Sequence, residues 1–251
     1  MSQFVFGSGA IYATPLVDAA GNAIAVPTPV KFLACQDISI DLSFDTKMLY
    51  GTNQFPLAIA RGKGKASVKA KNGQVNGTLF NNAFFGQTLA TGQDGYVQDI
   101  VGAAIPSTPF TITPTVPSSG TWAADMGVRN ASGIPMVRVA SGPTTGQYSL
   151  SAGVYTFAAA DTGLVVYIDY RYTVTTGKQI SIGNQLLGST PLVALDITVP
   201  YAGKSLTIRF PQAIAGKMAM ATKLDDFMVP EMDFDIFANT SNNVGTISMA
   251  E

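Results

Sequence analysis

Apolar and polar positions alternate along most of this chain, and the alternation predicts strands. Over residues 37–44, Ile38, Ile40, Leu42 and Phe44 fall on one face and Asp37, Ser39, Asp41 and Ser43 on the other. One face is expected to be buried and the other wet. Residues 64–71 repeat the pattern, with Ala66, Val68 and Ala70 opposed by Lys63, Lys65, Ser67, Lys69 and Lys71. The period changes over 74–85, where Val75, Leu79, Ala83 and Phe84 recur at helical spacing and Gly86 supplies a stop, so a helix is predicted there. A shorter helical turn is expected at 183–188, with Leu186 and Leu187 docked on a sheet. Strands return at Leu206, Ile208 and Phe210, at Met218 and Met220, at Met232, Phe234 and Ile236, and over 244–249.

The middle of the chain, 105–175, has a different texture. Pro106, Pro109, Pro114 and Pro117 predict a stiff extended entry, followed by strands at the spacing of a small sandwich. Residues 147–151 and 154–157, joined by Ala152-Gly153, predict a hairpin. A strand over 164–174, carrying Tyr167, Tyr170 and Tyr172, is expected to be the longest of all. The reading is an inserted β-rich region, 105–175, between two halves of a core, 1–104 and 176–251; one continuous sandwich is the alternative.

Composition narrows the function. Only 12% of residues are charged against roughly a quarter in an ordinary soluble domain, which suggests that much of the outside is covered by other copies of the chain. The net charge of −1 provides no field to recruit nucleic acid. The chain has no histidine, which removes Ser-His-Asp and Cys-His triads and His-ligated metals, so no catalysis and no cofactor are expected. Residues 203–205 end like a phosphate-binding loop, but Thr198 stands where its first glycine belongs. Asp225-Asp226 and the Asp233, Asp235 pair read as a turn and a strand face. Cys35 is the only cysteine, so no internal disulfide is expected. With no leader-like start and no apolar span of about 18 residues, the expectation is a cytosolic product without membrane insertion.

The acidic-faced strand 37–44, the Gly-Lys strand 61–70, the helix ending Phe84-Phe85-Gly86 and the run 221–238 together resemble the major tail tube proteins of long-tailed bacteriophages. The stretch 141–161 also resembles a hairpin segment common in phage virion proteins. The resemblance implies a mainly β fold, a tail-tube-type β-barrel or sandwich with one flanking α-helix. It implies hexameric rings that stack into a tube, assembled in the host cytoplasm and resident in the virion tail, through which DNA passes transiently at ejection. It also implies other tail proteins as partners: tape measure, terminator, baseplate or a sheath.

A conduit must not grip its cargo, because every lysine on a phosphate adds affinity through counterion release. The candidate lumen-facing acids are therefore Asp37, Asp41, Glu231, Asp233 and Asp235, with an ordinary solvated outer face as the alternative. Lys63, Lys65, Lys69 and Lys71 are expected away from the lumen, at contacts between rings or subunits, or else as protection for an edge strand. The segment 49–61, with Tyr50, Phe55 and Pro56, is apolar for a connection; in this family a long loop at that place reaches toward the neighbouring ring, so assembly contacts are expected there. A β-sandwich module binding carbohydrate or a cell surface is the competing class, and it requires an exposed aromatic platform around Trp122 or Tyr148.

Overall fold

The computed structural model describes residues 4–249. Along the chain run β1 (Ala10–Val17), β2 (Val30–Lys31), β3 (Cys35–Tyr50) and β4 (Pro56–Asn72), then α1 (Gly77–Phe80), which continues as a π-helical turn, Asn81–Phe85. Next come β5 (Ala90–Val97), β6 (Ala103–Ala104), β7 (Thr111–Ile112), β8 (Thr121–Asn130), β9 (Val137–Val139), β10 (Gln147–Ser151), β11 (Val154–Phe157) and β12 (Val165–Gln179). The last four are β13 (Leu192–Tyr201), β14 (Lys204–Ala219), β15 (Glu231–Ile236) and β16 (Thr246–Met249).

The chain divides into two compact units. The second is Ala90–Gln179, and the first comprises the residues on either side of it. Its boundary therefore lies earlier than residue 105, because β5 is laddered to β12 and belongs with it. The expected ranking of strands is also corrected: β4, at 17 residues, is longer than the 15-residue β12.

The first unit is one open sheet in the order β2-β1-β13-β14-β15-β4-β3, with β16 added to β14. Its buried face carries Ile11, Val68, Ala70, Leu195, Ile197, Phe210, Met232 and Phe234. The sheet curls over this core far enough to bring the Phe32 ring edge-on to Phe234, 6.5 Å between centroids. It does not close into a barrel, which corrects that part of the expectation: the sheet ends on β3, whose outer edge has no partner among the described residues.

The helical segment caps the core with Leu79, Phe80 and Ala83. It starts at Gly77 rather than at 74, because the Asn76 side chain accepts from the N–H groups of Thr78 and Leu79 and so satisfies two free donors of the first turn. Gly86 ends it with φ +58°, the left-handed value that glycine adopts without strain. No helix forms at 183–188. That stretch is irregular and leaves Leu186 and Leu187 exposed, with no sheet beneath them to reward helical order.

The second unit contains two sheets, β7-β11-β10-β9 and β5-β12-β6 with β8 along the other edge of β12. The predicted hairpin is β10 and β11, in register from Ser151↔Val154 to Tyr148↔Phe157. Its core is separate, built on Ile105, Val128, Tyr148, Tyr155, Phe157, Val166, Ile168 and Tyr170. Among the described residues no helix is long and apolar enough to cross a membrane.

Candidate assembly surface

The β3–β4 hairpin is longer than the sheet that anchors it. β4 is laddered to β15 only from Ala66 to Lys71, whereas β3 and β4 stay paired out to Tyr50↔Pro56. Residues 43–65 consequently form a two-stranded arm. This corrects the reading of 49–61 as a loop: Pro56–Arg61 is strand, and only the tip, 51–55, is irregular. The uninterrupted apolar run of 55–60 concealed it, since no alternation marks a ribbon with both faces open.

The core face of the sheet continues onto this arm without its cover. Ile38 and Ile40 are half-buried against the core, but Leu42, Phe44, Met48, Tyr50, Leu57 and Ile59 are exposed. Phe55 at the tip is 80% exposed and Leu57 70%. The Arg61 guanidinium sits 4.8 Å from the Phe44 ring centroid, and the Tyr50 hydroxyl donates to Met48 Sδ at 3.1 Å. Gly64 lies opposite Phe44, and a Cβ there would come within 2.9 Å of the ring, so glycine lets the ring lie flat across the ribbon. A register shift between Phe44 and Thr46 twists the arm where it leaves the sheet, with Lys63 in the same irregular stretch. Sequence reasoning had found Tyr50, Phe55 and Pro56 here; Met48, Leu57 and Ile59 carried no separate signal.

Beside the root of the arm lies an apolar groove of about 580 Å³ lined by Phe44, Phe210, Ile236, Phe237, Val244 and Ile247 among others. Lys65 is the one charged residue in its lining. A second groove, about 480 Å³, runs between Ile38 and Ile40 of β3 and Ile197, Val199, Leu206 and Ile208 of β13 and β14.

The opposite face of the same sheet carries the charges. Lys71 stands opposite Asp37 on one side and Glu231 on the other, Lys69 opposite Ser39 and Asp233, and Ser67 opposite Asp41 and Asp235. Lys217 on β14 stands opposite Asp233. Ion pairs follow this register: Lys71 to Asp37 at 3.5 Å, and Lys217 to Glu231 at 3.6 Å and Asp233 at 3.8 Å. The acids and the lysines expected on different surfaces thus share one face, because neighbouring antiparallel strands place opposed residues on the same side. Five carboxylates (Asp37, Asp41, Glu231, Asp233, Asp235) meet four ammonium groups (Lys65, Lys69, Lys71, Lys217) there.

The aromatic platform needed for a glycan-binding module does not form at the expected residues. Tyr148 is 3% exposed, and Trp122 is half-buried, its Nε1 donating to the Tyr155 hydroxyl at 3.4 Å. A comparison with protein-family models and with curated proteins finds no match to this chain.

Proposed function

We propose that this chain is a structural subunit that assembles with copies of itself into stacked, hollow rings, in the manner of a phage tail tube, and that it is not an enzyme. The observation that carries the reading is the apolar arm: a monomer gains nothing by holding Met48, Tyr50, Phe55, Leu57 and Ile59 in water on a two-stranded ribbon, whereas a polymer buries them. Two further features support it. The unpaired edge of the 16-residue β3 invites a strand from a neighbour, and the low charge leaves little to oppose association.

In this reading the mosaic face of β3, β4, β15 and β14 lines the channel, as the sheets of successive subunits join edge to edge into a hexameric ring. Lys69, Lys71 and Lys217 each stand opposite a carboxylate, and the five acids of the face outnumber its four lysines, which weakens any hold on phosphate. DNA then passes without being retained. The other tail components would contact the ends and outer surface of the tube, and the particle would be the virion tail.

Electron microscopy and sedimentation of the concentrated, purified chain test the proposal. Rings or tubes with a central hole are the expected result; a single-chain species at every concentration tried would rule it out.

A further inference from the structure

We propose that the groove lined by Phe44, Phe210, Ile236, Val244 and Ile247 receives the tip of the β3–β4 arm of a second copy of this chain. The inference rests on the self-assembling reading above and assigns the acceptor that reading lacks.

The chemistry of the two surfaces corresponds. No charged residue occurs between Lys47 and Arg61, so the whole tip can leave water without stripping an ion. The groove offers apolar side chains over about 580 Å³, with Lys65 the one charged residue in its lining. Met48, Tyr50, Phe55, Leu57 and Ile59 are each about half exposed or more, so the tip brings enough apolar side chain to fill a groove of this size. Aromatic anchors seated in a dry pocket are the usual centre of such a contact.

The occupant cannot be the arm of the same chain. Phe44 at the arm's root forms part of the groove, and folding the ribbon back would break the ladder from Thr46↔Arg61 to Leu49↔Ala58. The tip therefore reaches a different copy. Since tip and groove are different patches, the contact is heterologous: every subunit gives one arm and receives one, which produces rings or filaments with a direction instead of a closed pair.

Two exposed positions provide the test, Phe55→Asp at the tip and Ile247→Asp in the groove. Each variant is expected to melt like the parent, yet to sediment as single chains under conditions where the parent polymerises. An equal mixture of the two should give a discrete two-chain complex by native mass measurement, because an intact tip from one meets an intact groove on the other. If Ile247→Asp lowers the melting temperature, Val244→Asp takes its place; an oxidised crosslink between Phe55→Cys and Val244→Cys, found between chains, provides an independent readout. A groove variant that polymerises like the parent, or a mixture that yields no complex, overturns the inference while leaving self-assembly standing. A tip variant that polymerises while the groove variant does not means another segment fills the groove, which also overturns it. A parent that never polymerises removes the self-assembling reading and this inference together.

Discussion

Asp125 is the most heavily committed side chain in the second unit. Its carboxylate accepts from the Tyr148 hydroxyl at 2.7 Å, the Tyr155 hydroxyl at 3.2 Å and the Gly127 N–H at 3.0 Å, and the Arg138 guanidinium lies 3.7 Å away. Removing it strands two buried hydroxyls, so Asp125→Ala should destabilise the unit by about 2–4 kcal/mol, whereas Tyr148→Phe, which deletes one partner cleanly, should cost about 1 kcal/mol. Urea unfolding followed by fluorescence measures both; an Asp125→Ala variant no less stable than Tyr148→Phe would mean that stranding the buried hydroxyls costs nothing. Burial first, and the Asp125 charge with it, raise both phenols above the ordinary 10.0. The unfolded chain releases those protons near pH 10 and the folded unit resists, so the stabilisation is complete below pH 10 and lost as the pH climbs beyond it. Thermal melts of the unit should fall steeply above that pH, and less steeply in Tyr148→Phe.

At the scale of elements, cross-strand register decides what the charged face can do. Neutralising the five acids together, Asp37→Asn, Asp41→Asn, Glu231→Gln, Asp233→Asn and Asp235→Asn, leaves four lysines unopposed on one sheet face. The variant should bind duplex DNA with a log-log salt slope of about −3.6, since each phosphate contact contributes about −0.9, while the parent binds none at the same salt. Anisotropy titrations at several salt concentrations decide it, and a variant as indifferent to DNA as the parent would show that these lysines cannot reach phosphate. The strands of this face were legible one at a time, because the alternation at 37–44 and at 64–71 is regular. Their opposition was not. Whether Lys71 meets Asp37 depends on where the hairpin turns and on the shift between Phe44 and Thr46, and neither leaves a mark in an apolar tip without an Asn-Gly or Asp-Gly turn. The helix is legible because Leu79, Ala83 and Gly86 keep its period and stop; the turn expected at 183–188 does not form, because two adjacent leucines satisfy any period and carry no helical signal. Of the candidate site, the apolar tip could be found from the sequence, but the groove could not, since Phe44, Phe210 and Val244 come together only through the pairing of β14 with β15 and β16.

For the whole molecule, the decisive fact is how the second unit enters and leaves. Its first and last residues pair directly, Ala90↔Gln179, followed by Thr91↔Lys178, so both chain connections emerge side by side from one antiparallel ladder, about 5 Å apart. A segment whose ends meet can be removed without stretching the flanks, provided that it shares no core with them. The two buried clusters satisfy that condition: one is built on Val68, Leu195 and Phe234, the other on Tyr155, Val166 and Ile168, with no residue in common. Excising Ala90–Gln179 and joining Leu89 to Ile180 through an Asn-Gly turn should therefore leave the first unit folded, with its arm, groove and charged face intact. The excised segment, expressed alone, should show a cooperative melt of its own with the elevated tyrosine ionisation preserved. If the two pieces fold separately and the shortened chain still polymerises, the assembly apparatus resides in the first unit and the second is cargo on it. If the shortened chain folds but remains single, the inserted unit contributes contacts of its own, and Ile100 and Val101, exposed on a loop that the Asp99 carboxylate holds rigid through the N–H groups of Val101, Gly102 and Ile168, are the first residues to substitute.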